Sequence, residues 1–137
     1  MHHPTTISAI RVVLADDSAE LRAVWDRLLG RTPGLEVAAA VGSPSELLET
    51  IQRTRPDVVV LDLGMDGQDT AALIRQITRE GARVIVYSGH DGARLVSALR
   101  AQGASGFVGK LEETTVLIGA IRSVAAGGEH FPSRTSV

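Results

Sequence analysis

The sequence Val58–Asp62, which reads VVVLD, is an unbroken apolar run that ends on a carboxylate. Strands that are buried on both faces of a parallel sheet read in this way, because helices cover the sheet from both sides. A second apolar run, Ile10–Ala15, is followed directly by Asp16 and Asp17. In open α/β sheets, ligands bind in the crevice beyond the carboxyl ends of the strands. Three aspartates at two such ends therefore predict a cation site, with one carboxylate more than the cation requires.

Five apolar runs alternate with five amphipathic segments along the chain, which is the pattern of a parallel sheet with helices on both faces. Local signals agree with this periodicity. Ser43 and Pro44 form a helix start, and Gly81 and Gly103 each follow a helical segment, where glycine is favoured. The sequence therefore predicts a doubly wound (βα)₅ sheet of the α/β class. The predicted strands are 11–15, 36–41, 58–62, 83–88 and 106–108.

The length and the end of the periodicity indicate one domain and a short tail. A chain of 137 residues is long enough to bury a core that needs no disulfide. Helical periodicity ends at Gly127 and Gly128. We therefore predict one domain over 7–128, followed by a linker or C-terminal tail at 129–137.

The composition excludes several classes of protein. Without cysteine the chain has neither disulfides nor zinc-thiolate sites. A net charge of −2 and 3% aromatic residues argue against direct binding of nucleic acid, which requires a basic stripe or stacking aromatic side chains. The first residues lack the apolar core of a signal peptide, and no apolar run approaches the length of about 20 residues that spans a membrane. We expect a soluble cytoplasmic protein with no membrane partner.

The carboxyl ends of the predicted strands share one edge of the sheet, which collects five polar side chains. Carboxylate oxygens suit a hard cation such as Mg²⁺, which typically takes one or two carboxylates and keeps several waters. The single lysine among fourteen basic residues is one of the five, and a site that requires a lysine explains this position better than a solvated surface does. Three ionised aspartates and one lysine carry a net charge of −2, which a divalent cation would neutralise. The five residues are Asp16, Asp17, Asp62, Ser88 and Lys110.

A site of this composition can transfer a phosphoryl group. A carboxylate can attack phosphorus to give an aspartyl phosphate, and positioning and charge neutralisation supply most of the catalysis. Magnesium and the ammonium of Lys110 would neutralise the transferring oxygens. The hydroxyl of Ser88 would bond one of them.

At these residues the chain resembles the receiver domain of two-component response regulators, over residues 10–128. Each matching piece is weak alone, and the four pieces together, in this order, are specific. The segment IRSVAAGG at 121–128 is most similar to the subfamily that carries a C-terminal helix-turn-helix output domain. The four pieces are VVLADD (12–17), VVLDLGM (59–65), VIVYS (84–88) and GASGFVGK (103–110).

The resemblance implies a role for each residue at the strand ends. It makes Asp62 the phosphoacceptor. The implied ligands of Mg²⁺ are Asp16, Asp17, Asp62 and the backbone carbonyl of Gly64. The resemblance also implies the flavodoxin-like strand order 2-1-3-4-5.

A switch follows from the same resemblance. Ser88 would reach the phosphoryl group, Lys110 would pair with a phosphoryl oxygen, and the rotamer of Phe107 would follow Ser88. Taken alone, Ser88 is an ordinary strand-end hydroxyl and Phe107 an ordinary core aromatic. A phosphoryl group carries about −1.5 to −2 charges, and we expect the change to reach the face formed by the fourth helix, fifth strand and fifth helix (93–126).

The implied function is that of a two-component phosphorelay. A sensor histidine kinase donates the phosphoryl group to Asp62, with Mg²⁺ as cofactor. The face 93–126 then changes its partner, either a second copy in a homodimer or a C-terminal DNA-binding domain outside this chain that regulates transcription. A stand-alone receiver that acts by protein contact is the alternative. The chain is then not an enzyme, although it assists its own phosphotransfer and dephosphorylation.

A magnesium-dependent phosphohydrolase with an aspartate nucleophile is the competing class. Haloacid-dehalogenase-like hydrolases place the nucleophile on the first strand with a second aspartate two residues on, whereas Asp62 is on the third predicted strand and Gly64 follows it. A nucleotide- or flavin-binding domain is disfavoured because no glycine-rich phosphate loop follows the first strand.

Three positions depart from the usual pattern of the family. Asp66 stands where a proline is usual, Thr70 where a glycine is usual, and Leu111 where many receivers have a proline after the lysine. The loop 64–70 is therefore more acidic than usual, which leaves the metal affinity and the donor preference open.

Overall fold

Strands and helices alternate along the chain in the computed structural model, which describes residues 9–65 and 69–132. Each apolar run forms a strand, and each amphipathic segment forms a helix, as the periodicity predicts. The observed strand bounds differ from the predicted ones by one residue at most. The elements are β1 (Ile10–Ala15), α1 (Ala19–Gly30), β2 (Leu35–Val41), α2 (Pro44–Thr54), β3 (Val58–Asp62), α3 (Thr70–Arg79), β4 (Arg83–Ser88), α4 (Ala93–Ala101), β5 (Gly106–Gly109) and α5 (Thr114–Ala125).

The strands form one parallel sheet in the order β2-β1-β3-β4-β5. This order confirms the predicted doubly wound, flavodoxin-like α/β fold. Because all strands run in the same direction, their carboxyl ends meet at one edge. The register sets Asp62 opposite Tyr87 and Ser88 opposite Gly109 at this edge.

Two apolar layers cover the sheet. Val59 and Leu61 of β3 belong to the layer under α2, α3 and α4, whereas Val58 and Val60 belong to the layer under α1 and α5. All five residues of β3 are buried, so the strand shows no alternation of apolar and polar residues. Asp62 is buried with them, and a carboxylate in such a place requires compensating partners.

The helix ends follow the signals in the sequence. Ser43 caps α2 by accepting the N–H of Glu46 at 3.4 Å, with Pro44 in the first turn. Gly81 and Gly103, just after α3 and α4, have φ angles of 91° and 110°, which glycine adopts without strain. These turns fix where each following strand begins.

The chain continues past α5 along the outer edge of β5. Gly127, with a φ of 98°, makes the turn, and His130 then forms a parallel bridge with Gly106. Residues 129–132, the first part of the predicted linker or tail, therefore lie against the sheet.

Candidate functional site

Three carboxylates meet at the carboxyl edge of the sheet. Oxygen atoms of Asp16, Asp17 and Asp62 lie within 4.8 Å of one another. Asp16 and Asp62 are buried, with 6% and 3% of their surface exposed, whereas Asp17 is exposed to solvent. The structure thus brings together the aspartates that the sequence singled out, with one of them at the solvent side.

Asp16 is held by the turn that joins β1 to α1. Its N–H donates to the carbonyl of Val41 at 3.0 Å, and its carboxylate accepts the N–H of Ser18 at 2.8 Å. Ser18 in turn caps α1 by accepting the N–H of Leu21. The strand end and the helix start therefore fix the carboxylate of Asp16 between them.

Asp62 is held by the loop that follows it and by Lys110. Its Oδ1 accepts the N–H of Gly64 at 3.0 Å and lies 2.8 Å from Nζ of Lys110. The same Nζ is 4.0 Å from Oδ2 of Asp16. The backbone N–H of Lys110 donates to the carbonyl of Ser88 at 2.8 Å, which fixes where the lysine leaves the sheet. One ammonium therefore serves two buried carboxylates.

Burial shifts the protonation of this cluster. It raises the pKa of Asp16, and the N–H of Ser18 offsets only part of that shift. For Lys110, burial acts to lower the pKa, but the hydrogen bond and the negative charge of Asp62 together outweigh it, so its pKa is raised. The lysine is therefore charged at neutral pH and compensates one of the carboxylates.

The donor set fits a hard divalent cation. All three aspartates offer carboxylate oxygens, which Mg²⁺ prefers in proteins. Three carboxylates and one ammonium leave two negative charges, and burial already disfavours the ionised form of Asp16. A cation between the carboxylates would relieve that penalty. Gly64 is adjacent through its N–H, and the role of its carbonyl as a ligand stays a prediction.

A cavity of about 310 Å³ opens beside Asp62. This volume is ample for a phosphoryl group and accompanying waters. Ser88, which is buried, borders the cavity, and its Oγ accepts the N–H of His90 at 3.0 Å. The residues lining the cavity are Asp62, Leu63, Gly64, Ser88, Gly89, His90 and Lys110.

Comparison with known proteins agrees with this geometry. A family model described as the response regulator receiver domain matches residues 12–122. The chain belongs to this family. The matched range includes every residue of the site, from Asp16 after β1 to Lys110 after β5.

Solved structures share the fold of this receiver domain over most of its length. A two-component response regulator of the LuxR family from Aurantimonas sp. SI85-9A1 has a TM-score of 0.83 and 31% identity, covering 90% of this chain and 89% of that chain. The signal receiver domain of the response regulator NarL from Mycobacterium tuberculosis has a TM-score of 0.81 and 30% identity, covering 88% and 98%. The structural relatives therefore include receivers of the LuxR and NarL type.

Curated relatives match through one part of their length. Protein-glutamate methylesterase/protein-glutamine glutaminase 2 of Koribacter versatilis is 40% identical over 82 residues, which are 59% of this chain and 23% of that protein. The corresponding protein 5 of Myxococcus xanthus is 38% identical over 86 residues, 61% and 25% of the two chains. The receiver thus spans about a quarter of the length of these relatives, and the match does not carry their enzymatic activity over to it.

Phe107 of this receiver is fully buried. Its backbone pairs with Val86 of β4, and its side chain belongs to the layer under α4. It also borders a second cavity, of about 160 Å³, that reaches Ser88 and Lys110. Phe107 is therefore a core residue that touches the site, and its part in a switch stays a prediction.

Two of the three departures from the family pattern, Thr70 and Leu111, fall on described residues. Thr70 begins α3, directly after the cap Asp69, whose side chain accepts the N–H of Ala72. Leu111 is 97% exposed. Asp66 lies outside the described residues.

Arg22 belongs to the site although the sequence did not point to it. Its Nη1 donates to the backbone carbonyl of Asp16 at 2.7 Å. The guanidinium lies over Gly42, where an added Cβ would stand 2.7 Å from the same nitrogen. Arg22 follows the cap Ser18 by one helical turn, and this spacing was the only signal that could have revealed it.

Tyr87 is the second residue that sequence reasoning missed. The centroid of its ring is 5.6 Å from Nζ of Lys110. The ring also makes an edge-to-face contact with Trp25, with 5.6 Å between the ring centroids and 89° between the ring planes. Burial raises the pKa of Tyr87. Because β4 is buried on both faces, no pattern in the sequence distinguishes which face Tyr87 takes. The contact places the single tryptophan of the chain one ring away from Lys110.

Proposed function

We propose that the chain accepts a phosphoryl group on Asp62 from a sensor histidine kinase, with Mg²⁺ as cofactor, and that the face 93–126 responds. One observation carries the proposal: Nζ of Lys110 lies 2.8 Å from Oδ1 of Asp62, within a cluster of three carboxylates that borders a cavity. Membership of the receiver family supports phosphoacceptor signalling as the general function.

Asp62 is the nucleophile in this proposal. One of its carboxylate oxygens attacks the phosphorus of a phosphohistidine, and a new O–P bond forms as the P–N bond breaks. The histidine nitrogen keeps the electron pair of the broken bond. Water later attacks the phosphorus and returns the carboxylate and inorganic phosphate. The chain positions these groups and compensates their charge, so it acts as a phosphoacceptor rather than as an enzyme with a separate substrate.

The metal ligands in the proposal are Asp16, Asp17, Asp62 and the carbonyl of Gly64. Bound there, Mg²⁺ supplies charge neutralisation for the transferring oxygens. The N–H of Ser18 and the guanidinium of Arg22 hold Asp16 in position. These two groups orient Asp16 as a ligand. Such orientation is needed because the proposed ligands come from the ends of two different strands, β1 and β3.

Ser88, Lys110 and Phe107 form the proposed switch. Ser88 and Lys110 border the same cavity as Asp62, so a phosphoryl group there comes within reach of the hydroxyl and the ammonium. The two are also joined by a backbone hydrogen bond of 2.8 Å. A movement of Ser88 therefore also displaces Lys110, and the reverse holds. Phe107, which lines a cavity with both, would respond to the same movement.

The output of the receiver is proposed on the basis of its structural relatives. We propose a receiver over 7–128 and a linker or tail at 129–137 that leads to a DNA-binding output, since relatives of the LuxR and NarL type share this fold. A homodimer through α4, β5 and α5 is the proposed assembly, and a stand-alone receiver is the alternative. In the described ranges no helix is long and apolar enough to cross a bilayer. Membership of the receiver family supports the proposal of a cytoplasmic location.

Intact mass after treatment with a small phosphodonor tests the proposal. With acetyl phosphate and Mg²⁺ the full chain should gain about 80 Da, the mass of one phosphoryl group. Asp62→Asn should gain nothing, because the amide is not a nucleophile. Asp26→Asn removes an exposed carboxylate on α1 and should gain the same mass as the unsubstituted chain.

Two results would contradict the assignment. Equal modification of the chain and of Asp62→Asn places the phosphoryl group elsewhere. Steady turnover of a phosphomonoester, without a stable modified form, indicates a magnesium-dependent hydrolase instead.

A further inference from the structure

Residues 129–132 form a strap that pairs with the exposed edge of β5. After the turn at Gly127 the chain runs parallel to the strand, as the bridge between Gly106 and His130 shows. The N–H of Phe107 donates to the carbonyl of His130 at 2.8 Å, and the N–H of His130 donates to the carbonyl of Ser105 at 3.0 Å. The strap therefore occupies backbone groups that an edge strand would otherwise present to a partner.

Arg100 of α4 also contacts the strap. Nη2 of Arg100 lies 2.6 Å from Oε1 of Glu129, and the guanidinium stands 5.1 Å from the ring centroid of Phe131. Phe131 is partly buried against the layer that contains Phe107. The ion pair is half exposed on both sides, so it stabilises the strap only weakly. The strap is thus docked by contacts that are specific and individually weak.

Gly106 makes the close approach of the strap possible. A Cβ at this position would stand 3.1 Å from the carbonyl oxygen of His130, which is tighter than ordinary van der Waals contact. The absence of a side chain on β5 at this point is therefore a feature of the docking surface.

The strap borders a cavity that also reaches two residues of the candidate site, Ser88 and Lys110. Pro132 lines the cavity of about 160 Å³ together with Ser88, Phe107 and Lys110. Phe107 therefore meets the strap through its backbone N–H and shares a cavity with the two residues proposed to bind the phosphoryl group. Lys110 follows Phe107 by three residues on the same strand and loop, so a movement of the lysine towards a phosphoryl group on Asp62 also displaces Phe107 and its contact with the strap.

We propose that the edge of β5 and the flank of α4 are an intramolecular docking surface for the strap, and that phosphorylation of Asp62 releases it. The inference rests on the proposed function of Asp62. The phosphoryl oxygens accept hydrogen bonds from the Ser88 hydroxyl and the Lys110 ammonium and draw both groups towards them, which shifts the end of β5 relative to Pro132. Release exposes an unpaired strand edge and removes Glu129 as the partner of Arg100 within the face 93–126.

Amide hydrogen exchange on the full chain, followed by mass spectrometry, tests the release. Each sample is first checked for the gain of about 80 Da, so that modification and response are scored separately. In the phosphorylated chain, the amides of Phe107 and His130 should exchange about tenfold faster, because two hydrogen bonds are lost. Amides in the middle of β3 should not change and serve as the internal reference.

Two substitutions at one position supply the matched control. His130→Pro removes the N–H that donates to Ser105, so Phe107 should exchange rapidly already without phosphorylation, and modification should add little. His130→Ala keeps the backbone hydrogen bonds and should behave like the unsubstituted chain. Phe131→Ala removes the half-buried ring and should give an intermediate rate.

The outcomes separate the two proposals. A chain that gains the phosphoryl mass while Phe107 and His130 exchange at an unchanged or slower rate overturns the release of the strap and leaves the phosphoacceptor intact. A chain that gains no mass on Asp62 overturns the proposed function, and the inference falls with it. Equal behaviour of His130→Pro and His130→Ala would show that the backbone pairing does not hold the strap.

Discussion

Lys110, just after β5, and the strap along the outer edge of β5 are held by contacts of different kinds. Nζ of Lys110 lies 2.8 Å from Asp62, and the exposed fractions of the two side chains are 28% and 4%. Arg100 and Glu129, which fasten the strap, are 59% and 50% exposed. When a buried pair loses one partner, the other is left uncompensated away from water, whereas water replaces a lost partner at the surface.

This difference indicates where a change of charge at the site can have an effect. Phosphorylation replaces the single negative charge of the Asp62 carboxylate by a phosphoryl group that carries about 1.5 to 2 negative charges, beside an ammonium that already serves two carboxylates. The buried cluster has little freedom to rearrange, because a backbone N–H donates to the carboxylate of Asp16 and another to that of Asp62. The weakest neighbouring contacts are those of the strap, so the edge of β5 is the place where the response is expected.

Removal of the lysine should give the largest effect on stability. We expect Lys110→Met to lower the free energy of unfolding by about 3 kcal/mol, near the lower end for broken buried pairs, because Asp16 and Asp62 lose their shared counter-charge. Arg100→Met should cost less than about 1 kcal/mol. Urea denaturation without Mg²⁺ measures the free energy of unfolding of both variants. Equal losses would show that the contact of Lys110 with Asp62 and the contact of Arg100 with the strap do not differ in strength.

Magnesium should stabilise the cluster by a similar amount. At a free concentration about one hundred times its Kd, the gain in the free energy of unfolding is about 2.7 kcal/mol. Asp17→Asn should lose most of this gain while its metal-free stability is not reduced, because Asp17 is exposed and lies among other carboxylates. Asp26→Asn is the control, and thermal unfolding with Mg²⁺ or with EDTA is the measurement. If Asp17→Asn keeps the full gain, Asp17 is not a ligand.

The pH dependence of stability should reveal the cost of burying Asp16. Because burial raises its pKa, the stabilisation from this carboxyl is complete below the ordinary value of 3.8 and is lost as the pH rises through the folded pKa. Without Mg²⁺, Asp16→Asn should therefore be more stable than the unsubstituted chain at pH 7, by less than the gain from magnesium. Denaturation at a series of pH values should show this advantage disappearing towards pH 3.8. If Asp16→Asn is more stable by the same amount at every pH, its stability comes from the packing or hydrogen bonds of the amide and not from the loss of a buried charge.

The sheet and the acidic cluster were predictable because double-sided burial leaves a direct mark on the sequence. A strand such as Val58–Asp62 has no polar face, so its terminal carboxylate stands out at once. Lys110 was predictable for another reason, since a single lysine in an arginine-rich chain requires an explanation.

Arg22, Tyr87 and the strap could not be predicted, because their roles depend on tertiary contacts. The guanidinium of Arg22 donates to the carbonyl of Asp16 and packs over Gly42, which lies in the loop between β2 and α2. The strap pairs through backbone groups, which every residue except proline supplies, so its sequence carries no periodic signal. Sequence patterns report which face of an element is buried, and they are silent on pairing at a strand edge.

Arg22 and Gly42 form a clamp on Asp16, in which the guanidinium packs over Gly42 and donates to the carbonyl of Asp16. Loss of this clamp should lower the free energy of unfolding by about 1 kcal/mol. Gly42→Ala places a Cβ against Nη1 of Arg22, so the guanidinium must leave the carbonyl of Asp16 and one hydrogen bond is lost. We expect weaker binding of Mg²⁺, measured by the fluorescence of Trp25, which contacts Tyr87. Gly30→Ala is the control, because its Cβ would meet nothing within 4 Å. Unchanged magnesium affinity in Gly42→Ala would show that the clamp does not position Asp16.

The smallest effect on global stability should come from the strap. Arg100→Met removes the ion pair with Glu129 and the contact with Phe131, and we expect the free energy of unfolding to fall by about 0.5 kcal/mol or less. Exchange at the His130 amide should nevertheless rise, because a docked segment opens locally without unfolding the domain. Arg94→Met, at an exposed position of the same helix, should change neither quantity. If exchange at His130 instead follows the global free energy of unfolding, the strap unfolds only together with the core. The strap would then not be less stable than the contact between Lys110 and Asp62.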